Sequence, residues 1–236
     1  MEDFARGNSQ AFNRAAARTI GETADELTPN VFSNASTRLG KVFEDIKSLP
    51  GTPIRINADV GSAADDILRQ AKKMLPNQQD PNLIKLAEQA KTWSTHRGKI
   101  DGETYQLMRS GLSEASFDAS GSNRVLYGKL LETLDDSAEQ SLAAIGKKDL
   151  SDALKTARPQ YGNLKTLEKG AIVEGGDVMP GRLARSLRSK NAAAFKEGRG
   201  GELYDIGRYG EAFKPLTAGS PTYERMASSD LLSLAL

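Results

Sequence analysis

Residues 195–214, FKEGRGGELYDIGRYGEAFK, set Gly198, Gly200, Gly201, Gly207 and Gly210 among Arg199, Arg208 and several aromatics. Glycines beside arginine raise the question of phosphate binding. GRGG at 198–201 supplies Gly-x-Gly. It lacks the third glycine, the preceding strand and the distal acid of a dinucleotide site, and no Gly-Lys-Ser/Thr follows. The pattern instead predicts a glycine break feeding a small helix over 201–213. Glu202 and Asp205 fall in its first turn, where acids complement the helix dipole. Leu203, Ile206, Gly210 and Phe213 form its packing stripe, and Gly207 with Gly210 would let another helix approach closely.

Just upstream lies a basic run. Arg182, Arg185, Arg188, Lys190, Lys196 and Arg199 have only Glu197 among them. Such a set can neutralise phosphates. The bland alternative is a solvated helix face with Leu183, Ala184 and Leu187 turned inward. Nothing here resembles a base-reading motif, so the contact expected is with a nucleic-acid backbone or another acidic partner.

Other chemistry is sparse. The lone histidine, His96 in TWSTHRGK, sits at a predicted helix end, and spacing suggests no partner for a triad or a two-histidine metal site. The chain has no cysteine, which excludes a disulfide framework, a thiolate zinc site and a cysteine nucleophile. No metal or cofactor is expected. One further stretch, SEASFDASGS at 113–122, looks like the Glu-Ser-x-Phe region around the catalytic acid of lytic transglycosylases. That resemblance would make Glu114 a general acid, with Ser116, Phe117 and Asp118 beside it. NRVLYGKL follows where those enzymes carry a Gly-Leu-Met-Gln-type segment. The helical periodicity also places Glu114 on the wet face, and no catalytic activity is expected.

The elements that must position these residues are helices, because apolar residues recur with a period of 3.6 almost throughout. Thr28 and Pro29 open the clearest one, over 29–49, with Val31, Phe32, Ala35, Leu39, Val42, Phe43, Ile46 and Leu49 on one stripe. Further helices are predicted over 62–75, from Asp80 to Gly98, over 103–116, 122–145 and 149–170, then 180–190, 201–213 and 222–235. IRI at 54–56 reads as an extended linker. Pro159 predicts a kink or short break, since proline removes a backbone bond and clashes with the preceding turn. EGGD at 174–177 is the expected boundary, a Gly-rich hinge between a main helical bundle, 1–173, and a small C-terminal helical subdomain, 174–236. The fold expected is all-α, an elongated bundle of antiparallel helices.

Composition agrees with helices. Hydrophobic residues make up 38% and aromatics 6%, too few to fill the pleated faces of an all-β fold. A net charge of +1 leaves any electrostatic attraction to local patches. No run reaches the roughly 20 apolar residues that span a bilayer, so a soluble chain is expected. The closing SSDLLSLAL is apolar without a polar cap. It either docks on something or marks a cut in a longer chain.

The order of helices and junctions resembles the C-terminal helical region of DNA-ejection, or internal virion, proteins of short-tailed bacteriophages. The stretches that carry this are AFNRAAARTIGETADELTPNVF, GKIDGETYQLMRSGLSEAS, LLETLDDSAEQSL, ALKTARPQYGNLKTLEKGA, GGDVMPGRLARSLRS, GRGGELYDIGRYGEAF and GSPTYERM, nearly the whole chain. Pro159 and the uncapped Met179–Pro180 junction depart from the pattern. The resemblance implies a structural virion protein, held in the capsid interior or tail and delivered into the host envelope to help form a conduit for the genome. It implies partners among other virion proteins, a homo-oligomer, non-specific contact with phage DNA and association with the host envelope. A peptidoglycan-lytic enzyme using Glu114 and a non-viral helical adaptor or toxin-delivery module are the alternatives.

Overall fold

The computed structural model describes residues 2–49, 54–95, 98–169 and 172–212. His96, Phe213, the PGTP segment and the expected helix at 222–235 lie outside them. The fold is all-α and multi-helical. The chain divides into two compact units: Thr37–Pro159, and Met1–Ser36 together with Gln160–Leu236. The division therefore falls inside two helices and not at the glycines of 174–177.

The Thr37–Pro159 unit holds most of α2 (Pro29–Lys47), then α3 (Ala58–Lys73), α4 (Pro81–Thr95), α5 (Gly102–Asp118), α6 (Gly121–Ala144) and the first part of α7 (Lys148–Leu167). The starts of α3, α4 and α5 follow from side-chain capping. Asn57 accepts from the amides of Asp59 and Val60. Asp80 Oδ1 accepts from Asn82 N at 2.9 Å and Leu83 N at 3.3 Å. Asp101 accepts from Thr104 N at 2.7 Å, and the Thr104 side chain together with that amide holds its carboxyl below the usual range. α3 and α4 pack together, α5 packs on α6, and α6 lies against α3. The core contains Leu39, Ile46, Ile67, Leu83, Leu112, Tyr127, Leu130 and Leu134, each inaccessible to solvent. Leu75, the last residue of the helix expected over 62–75, is 62% exposed because α3 ends at Lys73.

IRI proves to be more than a linker. Ile54–Arg55 (β1) pairs antiparallel with Lys99–Ile100 (β2), Ile54 opposite Ile100. A two-residue strand is too short to show alternation, and its partner lies beyond two intervening α-helices, α3 and α4.

The other unit contains α1 (Glu2–Thr19), the start of α2, the end of α7, a hairpin of β3 (Val173–Glu174) and β4 (Asp177–Val178), then α8 (Pro180–Lys190), α9 (Ala192–Lys196) and α10 (Glu202–Ala212). Pro159 lies inside α7, which runs on to Leu167 without a break. The expected hinge at 174–177 is a two-residue β-turn. Gly175 at φ 61° and Gly176 at φ 90° supply the two positive angles that a tight hairpin connection needs. Asn13, fully buried on α1, holds this hairpin. Its amide donates to Asp177 Oδ1 at 2.7 Å and to the Asp25 carbonyl at 2.8 Å, while its oxygen accepts from Val178 N at 2.9 Å. A hairpin fastened in this way belongs to the packed unit rather than joining two. Among the described residues no helix is long and apolar enough to cross a membrane.

Candidate functional site

α8 is the element that carries most of the basic run. Pro180 opens it without a side-chain cap at Met179. Leu183, Ala184 and Leu187 are buried, so the 3.6 period turns Arg182, Arg185 and Arg188 outward; Lys190 follows the direction of the buried stripe but ends the helix, and all four are exposed. The buried side is fixed by glycine. α10 packs on α8, and a Cβ at Gly210 would collide with the Pro180 ring and meet Phe12 Cε1 at 3.4 Å. A Cβ at Gly207 would lie 2.7 Å from Leu187 Cδ1. Leu203 and Ile206 are buried on the same helix, within the chain.

The basic side chains differ in what surrounds them. Arg182 forms an ion pair with Glu174 at 2.8 Å. Arg188 lies over the Phe195 ring, 5.0 Å from its centroid. Lys190 Nζ donates to Thr166 Oγ1 at 3.3 Å. Arg199 pairs with its near neighbour Glu197. Arg185 and Lys196 are exposed on α8 and α9.

The glycine loop after α9 is closed on itself. Asn191 Oδ1 caps α9 through Ala194 N at 2.9 Å, and Arg199 N returns to the Ala194 carbonyl at 2.9 Å. Gly198, Gly200 and Gly201 all have positive φ. Arg208 donates to the Phe195 and Arg199 carbonyls, each at 3.3 Å, and pairs with Asp205. The loop amide of Arg199 and the Arg208 guanidinium are thus turned to internal bonds.

Glu114 and Asp118 lie on the exposed side of α5, and Phe117 is 40% exposed. These positions are the outer face of a helix packed on α6.

A third constellation lies in the core of the Thr37–Pro159 unit, and the sequence reading passed over it. Asp135 on α6 is 2% exposed and Arg109 on α5 is 5% exposed. Tyr105 Oη donates to Asp135 Oδ1 at 2.6 Å, and Arg109 Nε lies 3.2 Å from the same oxygen. Arg158 Nε, from α7, reaches Asp135 Oδ2 at 3.1 Å. Its Nη1 serves both Asp136, at 2.9 Å, and Glu139. The Arg109 guanidinium also sits over Phe43 of α2, 4.1 Å from the ring centroid.

Burial and the adjacent Asp135 charge push the Tyr105 phenol well up, so it stays protonated and donates. Burial pushes Asp135 up as well, against the pull of Arg109, Tyr105 and Arg158. For Arg158, burial opposes the charge, but Asp135, Asp136 and Glu139 outweigh it and raise its pKa. With both carboxylate oxygens engaged, Asp135 is a clasp joining α5, α6 and α7. A signal for it existed. Arg109 stands four residues after Tyr105, Asp135 three before Ala138, and Arg158 four after Leu154, all on apolar stripes.

No family model, no curated protein and no solved structure matches this chain.

Proposed function

We propose that this chain is a non-catalytic helical module of a bacteriophage virion, of the DNA-ejection or internal virion type, which packs against other virion proteins and copies of itself and meets the genome through α8. The setting rests on the sequence resemblance. The observation that supports the contact is the two-sided build of α8: Leu183, Ala184 and Leu187 buried, with Arg182, Arg185 and Arg188 in water on the other side. A rigidly seated helix with an arginine row presents positive charge to a polyanion without ordering cost in its own backbone. The partner class is a phosphate backbone, met without base readout.

The test has two parts. Mass spectrometry of purified particles of the source phage is expected to find the chain in the virion, and its absence there would end the virion reading. Binding to unrelated DNA duplexes is expected to be independent of sequence and to weaken linearly on a log–log plot against salt. Binding that is absent at low salt, or unchanged by salt, would end the α8 reading.

A further inference from the structure

The outer face of α5 has no part in the contact with the genome, and its chemistry is the reverse of that on α8. Glu103, Leu107, Glu114 and Asp118 are all exposed, Leu107 at 69%, and exposed Phe117 borders them. At about 100° and 1.5 Å per residue, these four lie within about 60° of one another on a row about 22 Å long. Arg109 is the one basic residue of α5, and it is buried on the other side, in the clasp. The row is therefore acidic and apolar, with no cation from its own helix. Among the described residues no ion pair engages Glu103, Glu114 or Asp118. Gly111, between Leu107 and Glu114, has open space where a side chain would stand, so a second helix approaches closely there.

Charge selects what covers such a face. Two large apolar side chains set among three carboxylates suit a helix that carries cations on hydrocarbon stems. α8 is built in that way. Its 11 residues, about 16 Å, fit within the length of the α5 row, and Arg182, Arg185 and Arg188 are exposed along it. Arginine serves both components of the row. Its stem covers hydrocarbon such as Leu107, and its planar head pairs with a carboxylate or lies over an aromatic ring such as Phe117. Arg182 also meets Glu174, and Arg188 lies over Phe195. A guanidinium carries five N–H donors, so neither contact exhausts it.

We propose that the outer face of α5 on one copy of this chain receives α8 of a second copy, with Glu103, Glu114 and Asp118 facing the arginines and Leu107 and Phe117 beneath their stems. This rests on the self-association in the proposed function, and gives it a surface; the virion setting is not needed for it. Two different faces meet, so the contact is head-to-tail and able to join more than two copies. A single helix-on-helix contact falls below the roughly 1,200–2,000 Å² of a standard interface, and exposed ion pairs add little affinity. The association is therefore weak, and salt screens it.

Sedimentation velocity of the full chain, over a concentration series at low and high salt, tests the contact. The mean mass should rise with concentration, and the association should weaken at least about tenfold from low to high salt. Arg182→Glu with Arg185→Glu should weaken it at least about tenfold, and so should Glu114→Arg with Asp118→Arg, because each turns attraction into repulsion. An equimolar mixture of these two variants should return to within about threefold of the unaltered chain, since each keeps the face that the other has lost. Glu114→Gln with Asp118→Asn keeps the side-chain shapes; it should weaken the association about threefold and flatten its salt dependence. Circular dichroism melts of every variant check that the helices are intact. A chain that stays monomeric, substitutions without effect, or a mixture no better than its components would overturn the proposal. Duplex DNA binding is measured on the same samples. DNA binding without self-association would sink this contact and leave the DNA reading of α8 standing, and self-association without DNA binding would do the reverse.

Discussion

The two units place arginine in opposite settings. In Thr37–Pro159, Arg109 and Arg158 are drawn into the core, where Asp135 takes both and Tyr105 completes the set. In the other unit, α8 leaves Arg182, Arg185 and Arg188 in water, and its position is set by glycines of α10 pressed against Pro180 and Leu187. One unit thus registers its helices with directional charge pairs. The other does so with close backbone approach, and its cations lie on the exposed side of α8. The same residue type is a structural clasp in one place and a solvent-exposed row in the other, and the difference lies in which side of the helix stripe it occupies.

The largest effect should come from breaking the clasp. Asp135→Asn removes the anion that both the enclosed Arg109 and Arg158 face, while Arg158 keeps Asp136 and Glu139, and should cost about 3–5 kcal/mol. Urea unfolding followed through Trp93, the single tryptophan, on α4 of the same unit, should show a midpoint falling accordingly. The triple change Arg109→Met, Asp135→Leu, Arg158→Met tests the reason: replacing the whole set should be far milder than removing its centre. A triple variant weaker than Asp135→Asn would mean that the charges themselves hold the helices.

Tyr105→Phe is the next step down. It removes one donor to an ionised, buried acceptor while keeping the ring, and should cost about 1.5–3 kcal/mol in the same experiment. No loss would place the energy of the clasp in the arginines alone.

On the other side of the comparison, Gly210→Ala should destabilise by about 1–3 kcal/mol, because the new methyl meets the rigid Pro180 ring. Gly111→Ala on α5 is its counterpart. That helical glycine has open space around the added Cβ, so alanine should stabilise by about 0.5–1 kcal/mol. Equal effects at the two sites, read by thermal unfolding, would remove close approach as the device that seats α8.

The smallest stability effect belongs to the exposed cations. Arg185→Ala with Lys196→Ala should leave stability within about 0.5 kcal/mol. The same pair should lower the slope of DNA affinity against salt by about 2 if each side chain meets one phosphate. A substantial loss of stability would make this face structural, like Asp135.

Much of the fold was legible because the apolar period is local. α2, α5, α6 and α8 fall close to the stripes that predict them, and Asp80 caps the helix expected to start there. The five-residue α9 is too short to display a period and went unread. The hairpin at 173–178 was misjudged as a hinge because Gly-Gly serves a tight turn and a flexible joint alike. Asn13, distant in sequence, is what fastens it.

The candidate sites divide in the same way. The outward direction of Arg182, Arg185 and Arg188 was readable from Leu183 and Leu187 on the same helix, since one helix fixes both faces. The meeting of Tyr105, Arg109, Asp135 and Arg158 was not. Each stands on an apolar stripe as an anomaly, but a stripe does not say which helix it faces. What the sequence by itself determined was the helical period, the caps and the inner and outer sides of each helix, all set by contacts a few residues apart. Only the tertiary structure decided that three helices converge on Asp135 and that Gly210 receives Pro180. Those pairings join residues far apart along the chain, and their energy appears only once desolvation has made each charge and each gap costly to leave without a partner.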